Sequence, residues 1–158
     1  VQSRKVDLNA IVQSRMDFVK RLVSPKVSAQ REIHATPLEI HADSEQIEQV
    51  LFNLAINARK RLSDGGVLTV RTLKLDRCAQ LNEQSVAVLE VEDNGKGIDA
   101  DTQSRIWEPF YADNRDGTGL ELAAVYGIVK QFGGAVSLTS EFGKGSVFRI
   151  YLPLRVSN

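Results

Sequence analysis

The chain has 158 residues, 42% of them hydrophobic, which is one domain's worth and enough to bury a proper core. Twenty basic side chains balance twenty acidic ones, which argues against a polyanion-binding surface and against nucleic acid as a general partner. A single cysteine, Cys78, excludes an internal disulfide framework and a cysteine metal cluster and fits a reducing compartment, and no apolar run approaches the length of a membrane span.

Val1 to Lys5 is polar and lacks an initiator Met, so residues 1–6 are expected to be a linker from a preceding helical segment of a longer protein, with the domain at 7–158. Asp7 is a good N-cap, and Leu8, Ile11, Val12, Met16, Val19 and Leu22 recur at helical spacing until Ser24-Pro25 blocks continuation. Alternation through Val27, Ala29, Arg31 and Ile33 predicts a strand, followed after Pro37 by a short extended piece through Ile40. His34 and His41 read as surface or strand-end residues, since neither sits on a helix beside an acid.

Asp43 or Ser44 caps a second helix whose apolar stripe is Ile47, Val50, Leu51, Leu54 and Ala58, with Gly65-Gly66 as its stop. Asn53 and Asn57 lie four residues apart on one face of it, with Lys60 a turn further on. Asparagine is a mediocre helix former, and two roles fit the pair. They bridge buried backbone groups, or an amide oxygen faces a hard cation such as Mg²⁺ while Lys60 reaches a phosphate.

Val67 to Leu75 and Val86 to Asp93 read as antiparallel strands around a polar loop, with Cys78 incidental to it. The second strand delivers Asp93 to Asp-Asn-Gly-Lys-Gly-Ile, where Gly95 and Gly97 permit positive φ and a close backbone approach to a ligand. A carboxylate at such a turn can accept a hydrogen bond from an exocyclic amine, although a plain strand-to-loop turn explains the motif equally well. Asp99 to Arg105 predicts a short helix, the aromatic run Ile106 to Tyr111 a core plug or hinge, and the polar residues 112–116 a lid. Gly117-Thr118-Gly119-Leu120 opens a third helix carrying Leu122, Val125, Ile128 and Val129, and its free N–H groups offer a phosphate site. Ala135 to Ser140 and Ser146 to Leu152 form a terminal hairpin. The sum is an α/β two-layer sandwich, a mixed β-sheet covered by about three helices.

Taken together, Asn53-Leu-x-x-Asn57-Ala58, Asp93-x-Gly95-x-Gly97-Ile98, Glu108-Pro109-Phe110 and Gly117-Thr118-Gly119-Leu120 resemble, in order, the N, G1, F and G2 boxes of the ATP-binding domain of sensor histidine kinases. That domain has the Bergerat-type fold shared with gyrase, the ninety-kilodalton heat-shock chaperone and mismatch-repair ATPases. The resemblance implies that Asp93 binds the adenine amine, that Gly95, Gly97 and Ile98 line the base, and that Asn57 ligates Mg²⁺ with Asn53 in support. It further implies that Lys60 contacts phosphate and that Gly117, Thr118, Gly119 and Leu120 line the triphosphate. Asn53 stands where water-driven relatives carry a glutamate base, so the resemblance favours phosphoryl transfer to a protein nucleophile.

The implied partners are a histidine-bearing helical dimerisation domain of the same protein and a downstream response-regulator receiver domain. The fragment itself is expected to be monomeric and cytoplasmic, touching neither membrane nor nucleic acid, whether or not its parent is membrane-anchored. Two features depart from the family pattern: Glu121 replaces the third glycine of the last box, and the lid is short, with Arg115 its one cation. They keep open a second class, a non-catalytic docking or phosphotransfer module with weak or no ATP binding.

Overall fold

The computed structural model describes residues 2–111 and 119–155. Their helices and strands are β1 (Arg4–Asp7), α1 (Leu8–Val23), β2 (Val27–Glu32), β3 (Glu39–Ala42), α2 (Ser44–Arg61), β4 (Gly66–Cys78), β5 (Gln84–Asp93), α3 (Ala100–Arg105), α4 (Glu121–Gln131), β6 (Ala135–Glu141) and β7 (Gly145–Pro153), with a 3-10 turn at Ala79–Leu81.

α1 begins where Asp7 accepts a hydrogen bond from the Asn9 N–H at 3.0 Å, and the same carboxylate oxygen accepts from the Leu38 N–H at 2.9 Å. One cap therefore both starts the helix and fixes the entry to β3. α2 is capped in the same way by Asp43, which accepts from the Glu45 N–H at 3.0 Å. It stops at Arg61 with Leu62 in extended conformation, short of the glycine pair expected to end it.

β2, β4, β5, β7 and β6 form the main sheet in that order, with β2 parallel to β4 and the other pairs antiparallel. α1, α2 and α4 supply Leu8, Val12, Met16, Leu51, Leu54, Val125 and Val129 to a core shared with Leu68, Val70, Leu89, Val91, Phe148 and Ile150 of the sheet. This is the expected two-layer sandwich. The strand leading to Asp93 is more than half-buried, because its opposite face is covered too: Val86 and Val88 pack with Ala135, Tyr151 and Cys78. Cys78, expected in or near a loop, ends β4 at 1% exposure and belongs to that cluster. Toward the middle of the same face the covering gives way to charge. Glu90 receives the Arg149 Nε at 2.8 Å and the Arg71 Nη1 at 3.1 Å, and Glu32 receives the Arg71 Nε at 2.8 Å.

The N-terminal residues depart from the expected linker. Arg4 to Asp7 pair antiparallel with β3, in register Arg4↔Ala42 to Asp7↔Glu39. Ile40 bridges Leu154, and the Arg155 N–H donates to the Glu39 carbonyl at 2.8 Å, so this two-stranded ribbon is tied to the far end of β7.

Candidate functional site

Asp93 sits at the end of β5, between Leu68 of β4 and Ser146 of β7, and is 2% exposed. Its Oδ1 accepts from the Gly95 N–H at 2.9 Å, whereas the buried Oδ2 has no hydrogen-bond partner among the described residues. Burial pushes the carboxyl above its ordinary value, and the Gly95 N–H, the Arg61 guanidinium and the Ser146 N–H only partly offset that. An acceptor buried without a donor is costly, and a bound donor would relieve it.

The glycines of the following turn answer to the protein's own packing. Gly97 has φ +86°, and a Cβ there would lie 2.5 Å from the Glu141 carbonyl oxygen, while the Gly143 N–H donates to the Lys96 carbonyl at 2.7 Å. The turn is thus pressed against the β6–β7 hairpin, and a glycine is required whether or not a base lies nearby. Ile98 is buried in the core, and its N–H donates to Ser140 Oγ at 2.7 Å. The first role of Gly95 is to orient Asp93.

α2 connects this end of the sheet to α4. Arg61, 7% exposed, lies over the Phe148 ring at 5.3 Å, and Trp107 meets the same ring edge-on at 5.7 Å. Sequence reasoning passed over Arg61, although the signal was there: three residues beyond Ala58, it continues the apolar stripe with a charge. Asn53 is buried, with Gln49 Nε2 donating to its Oδ1 at 2.6 Å and its Nδ2 donating to the Glu121 carbonyl at 3.0 Å. Both ends of that amide are spent within the protein, one on the Gln49 side chain and one on a backbone carbonyl, and together they anchor the start of α4. Asn57 differs: its Oδ1 is buried with no partner among the described residues. Lys60 Nζ lies 3.2 Å from Glu121 Oε1.

Of the last motif, Gly117 and Thr118 lie outside the described residues, as do the expected lid 112–116 and Arg115. Gly119 has φ +77°, and a Cβ there would lie 2.4 Å from the Phe110 carbonyl carbon; the Phe110 N–H donates to the Gly119 carbonyl at 2.9 Å. The described residues on either side of 112–118 are therefore joined directly. Leu120 precedes α4 and is 43% exposed.

The donor set fits a magnesium nucleotide in two places: Asp93 Oδ2 is an orphaned acceptor suited to an amine, and Asn57 Oδ1 is an orphaned neutral oxygen suited to a hard cation. Among the described residues, no group of three His, Cys, Asp or Glu could hold a metal. The His34 N–H donates to Thr72 Oγ1 just beyond β2, and His41 is exposed on β3.

A family model described as "Histidine kinase-, DNA gyrase B-, and HSP90-like ATPase" matches residues 42–156. The chain is 38% identical over 157 residues to the sensor kinase CckA of Brucella abortus and 34% identical over 154 residues to the sensor histidine kinase ZraS of Escherichia coli. The alignments cover 94% and 96% of this chain but only 17% and 31% of those proteins. The mycobacterial sensor histidine kinase MprB superposes with a TM-score of 0.81 at 25% identity, covering 98% of this chain and 99% of that one. Full-length ShkA in complex with AMPPNP superposes with a TM-score of 0.82 at 25% identity, over 99% of this chain and 32% of that one.

Proposed function

The chain belongs to the histidine kinase-, DNA gyrase B- and HSP90-like ATPase family, and from that premise we propose that it holds Mg-ATP and presents the γ-phosphoryl group to a histidine on a separate helical dimerisation domain. The observation that carries the reading is the Asp93 carboxylate, buried at 2% exposure with Oδ2 unpartnered among the described residues. A donor on a bound ligand would satisfy it.

In this reading the adenine amine donates to Asp93 Oδ2, and Gly95 holds the carboxylate in line through Oδ1. Asn57 Oδ1 takes one place on Mg²⁺, and Lys60 meets the phosphates. A metal held there by Asn57 would supply charge neutralisation for the transferred group. Asn53 keeps α4 against α2 and supplies no general base. Water is then not activated, and the phosphoryl group passes to an imidazole nitrogen of the partner while ADP leaves. The full kinase, its cytoplasmic placement, its dimerisation domain and its receiver-domain partner belong to the same proposal. Among the described residues no helix is long and apolar enough to cross a membrane.

A second reading, a docking module without nucleotide, draws on one observation: Lys60 is already paired with Glu121. Calorimetric titration with ATP or ADP in the presence of Mg²⁺ separates the two. Micromolar to low-millimolar affinity supports the kinase reading, and no binding at several millimolar supports the docking module.

A further inference from the structure

The cation on the asparagine face of α2 is held by the protein's own anion. Lys60 Nζ lies 3.2 Å from Glu121 Oε1, with the two side chains 21% and 26% exposed. Partial burial works against the charge on Glu121, but its own backbone N–H, the Lys60 ammonium and the Leu120 N–H outweigh it and hold the carboxyl below its ordinary value. The first turn of α4 and a lysine of α2 thus share one carboxylate. Two positive groups from different elements that converge on one anion make a seat for a phosphate as readily as for a carboxylate. The backbone under this seat is fixed, since Asn53 Nδ2 donates to the Glu121 carbonyl at 3.0 Å while Gln49 pins the other end of Asn53 at 2.6 Å. Swinging the Glu121 side chain out would break its partly buried ion pair with Lys60 and its contacts to the Glu121 and Leu120 N–H groups.

Resting on the Mg-ATP reading, we infer that Glu121 is a specificity-determining residue: its carboxylate occupies the seat of the nucleotide's terminal phosphates and must be displaced from Lys60 before they bind. The adenosine half of the ligand, read by Asp93 beside Arg61, makes no contact with Glu121 in that reading. The phosphate half bears the whole cost. Affinity should therefore rise less steeply from adenosine to ADP to ATP than in the same pocket without this charge. A like charge within several ångströms, at the effective dielectric of a half-buried site, weakens binding by about tenfold to a hundredfold.

The test is calorimetry with adenosine, ADP and ATP at fixed Mg²⁺ on the whole chain and on its Glu121→Gln and Glu121→Gly variants. Glu121→Gln keeps the shape and removes the charge, and it carries the comparison even if the glycine variant does not fold. ATP should bind Glu121→Gln about tenfold to a hundredfold more tightly than wild type, ADP should gain less, and adenosine should stay within about twofold. Equal gains for all three ligands, or none, would overturn the inference while leaving the nucleotide reading intact. A chain that binds none of the three in either form would overturn both.

Discussion

Replacing Asp93 with Asn isolates the one group on which nucleotide recognition turns. Asn keeps the acceptor that the Gly95 N–H uses at 2.9 Å and substitutes an NH₂ donor for the orphaned Oδ2. The adenine amine then loses a charged acceptor and meets a second donor. A hydrogen bond to a charged group is worth about 1.5–3 kcal/mol, so ADP affinity should fall by about tenfold to 150-fold in calorimetry at neutral pH. Stability should move the other way. Burial raises the carboxyl of Asp93 in the fold, so its favourable contribution is fully present below the unfolded carboxylate pKa and is lost as pH rises through the raised folded value. Above that window wild type carries a buried charge that Asp93→Asn lacks. The variant's Tm should exceed that of wild type at neutral pH, and the gap should close as pH falls through the carboxylate range. ADP binding within about threefold of wild type, or a variant less stable than wild type at neutral pH, would refute the reasoning.

Asn57→Ala removes the orphaned amide oxygen; ATP affinity should drop roughly tenfold with Mg²⁺ present and change little in EDTA, as read by titration in both buffers. Glu90→Ala leaves Arg71 and Arg149 facing each other across β5 without their shared carboxylate, and should cost about 1–3 kcal/mol in urea unfolding, since both arginines keep some contact with water. Thr72→Val strips a hydroxyl at 1% exposure that donates to Asn9 Oδ1 and accepts from the His34 N–H; leaving both unpaired should cost about 1–3 kcal/mol, with near-native far-ultraviolet circular dichroism. Gly97→Ala places a methyl 2.5 Å from the Glu141 carbonyl oxygen at φ +86°, and should lower stability by at least about 1–3 kcal/mol in thermal unfolding.

The elements that could be read from sequence are those whose signal is local. α1 and α2 announce themselves through Asp7 and Asp43 and through apolar stripes that the fold buries almost as written, and the terminal hairpin through the Gly143-Lys144-Gly145 run between its strands. β1 could not be read in this way. Arg4-Lys5-Val6-Asp7 carries a single apolar residue and becomes a strand only because β3, more than thirty residues later, offers it an edge. Cys78 looked incidental because the cluster that buries it is assembled from β5, β6 and β7. Within the site, Asp93 and Asn57 were singled out on residue type and position, and both prove to hold buried oxygens without partners among the described residues. Residue type could not foretell that Gly97 answers to Glu141, or that Lys60 is held by a residue 61 positions away. Such pairings are decided by tertiary approach, on which a one-dimensional period is silent.

The most direct test of the central claim is a crystal structure of this chain with Mg²⁺ and a non-hydrolysable ATP analogue. The adenine amine should lie within hydrogen-bond distance of Asp93 Oδ2 and the metal on Asn57 Oδ1. A nucleotide bound with its base away from Asp93, or a metal held without Asn57, would contradict that claim.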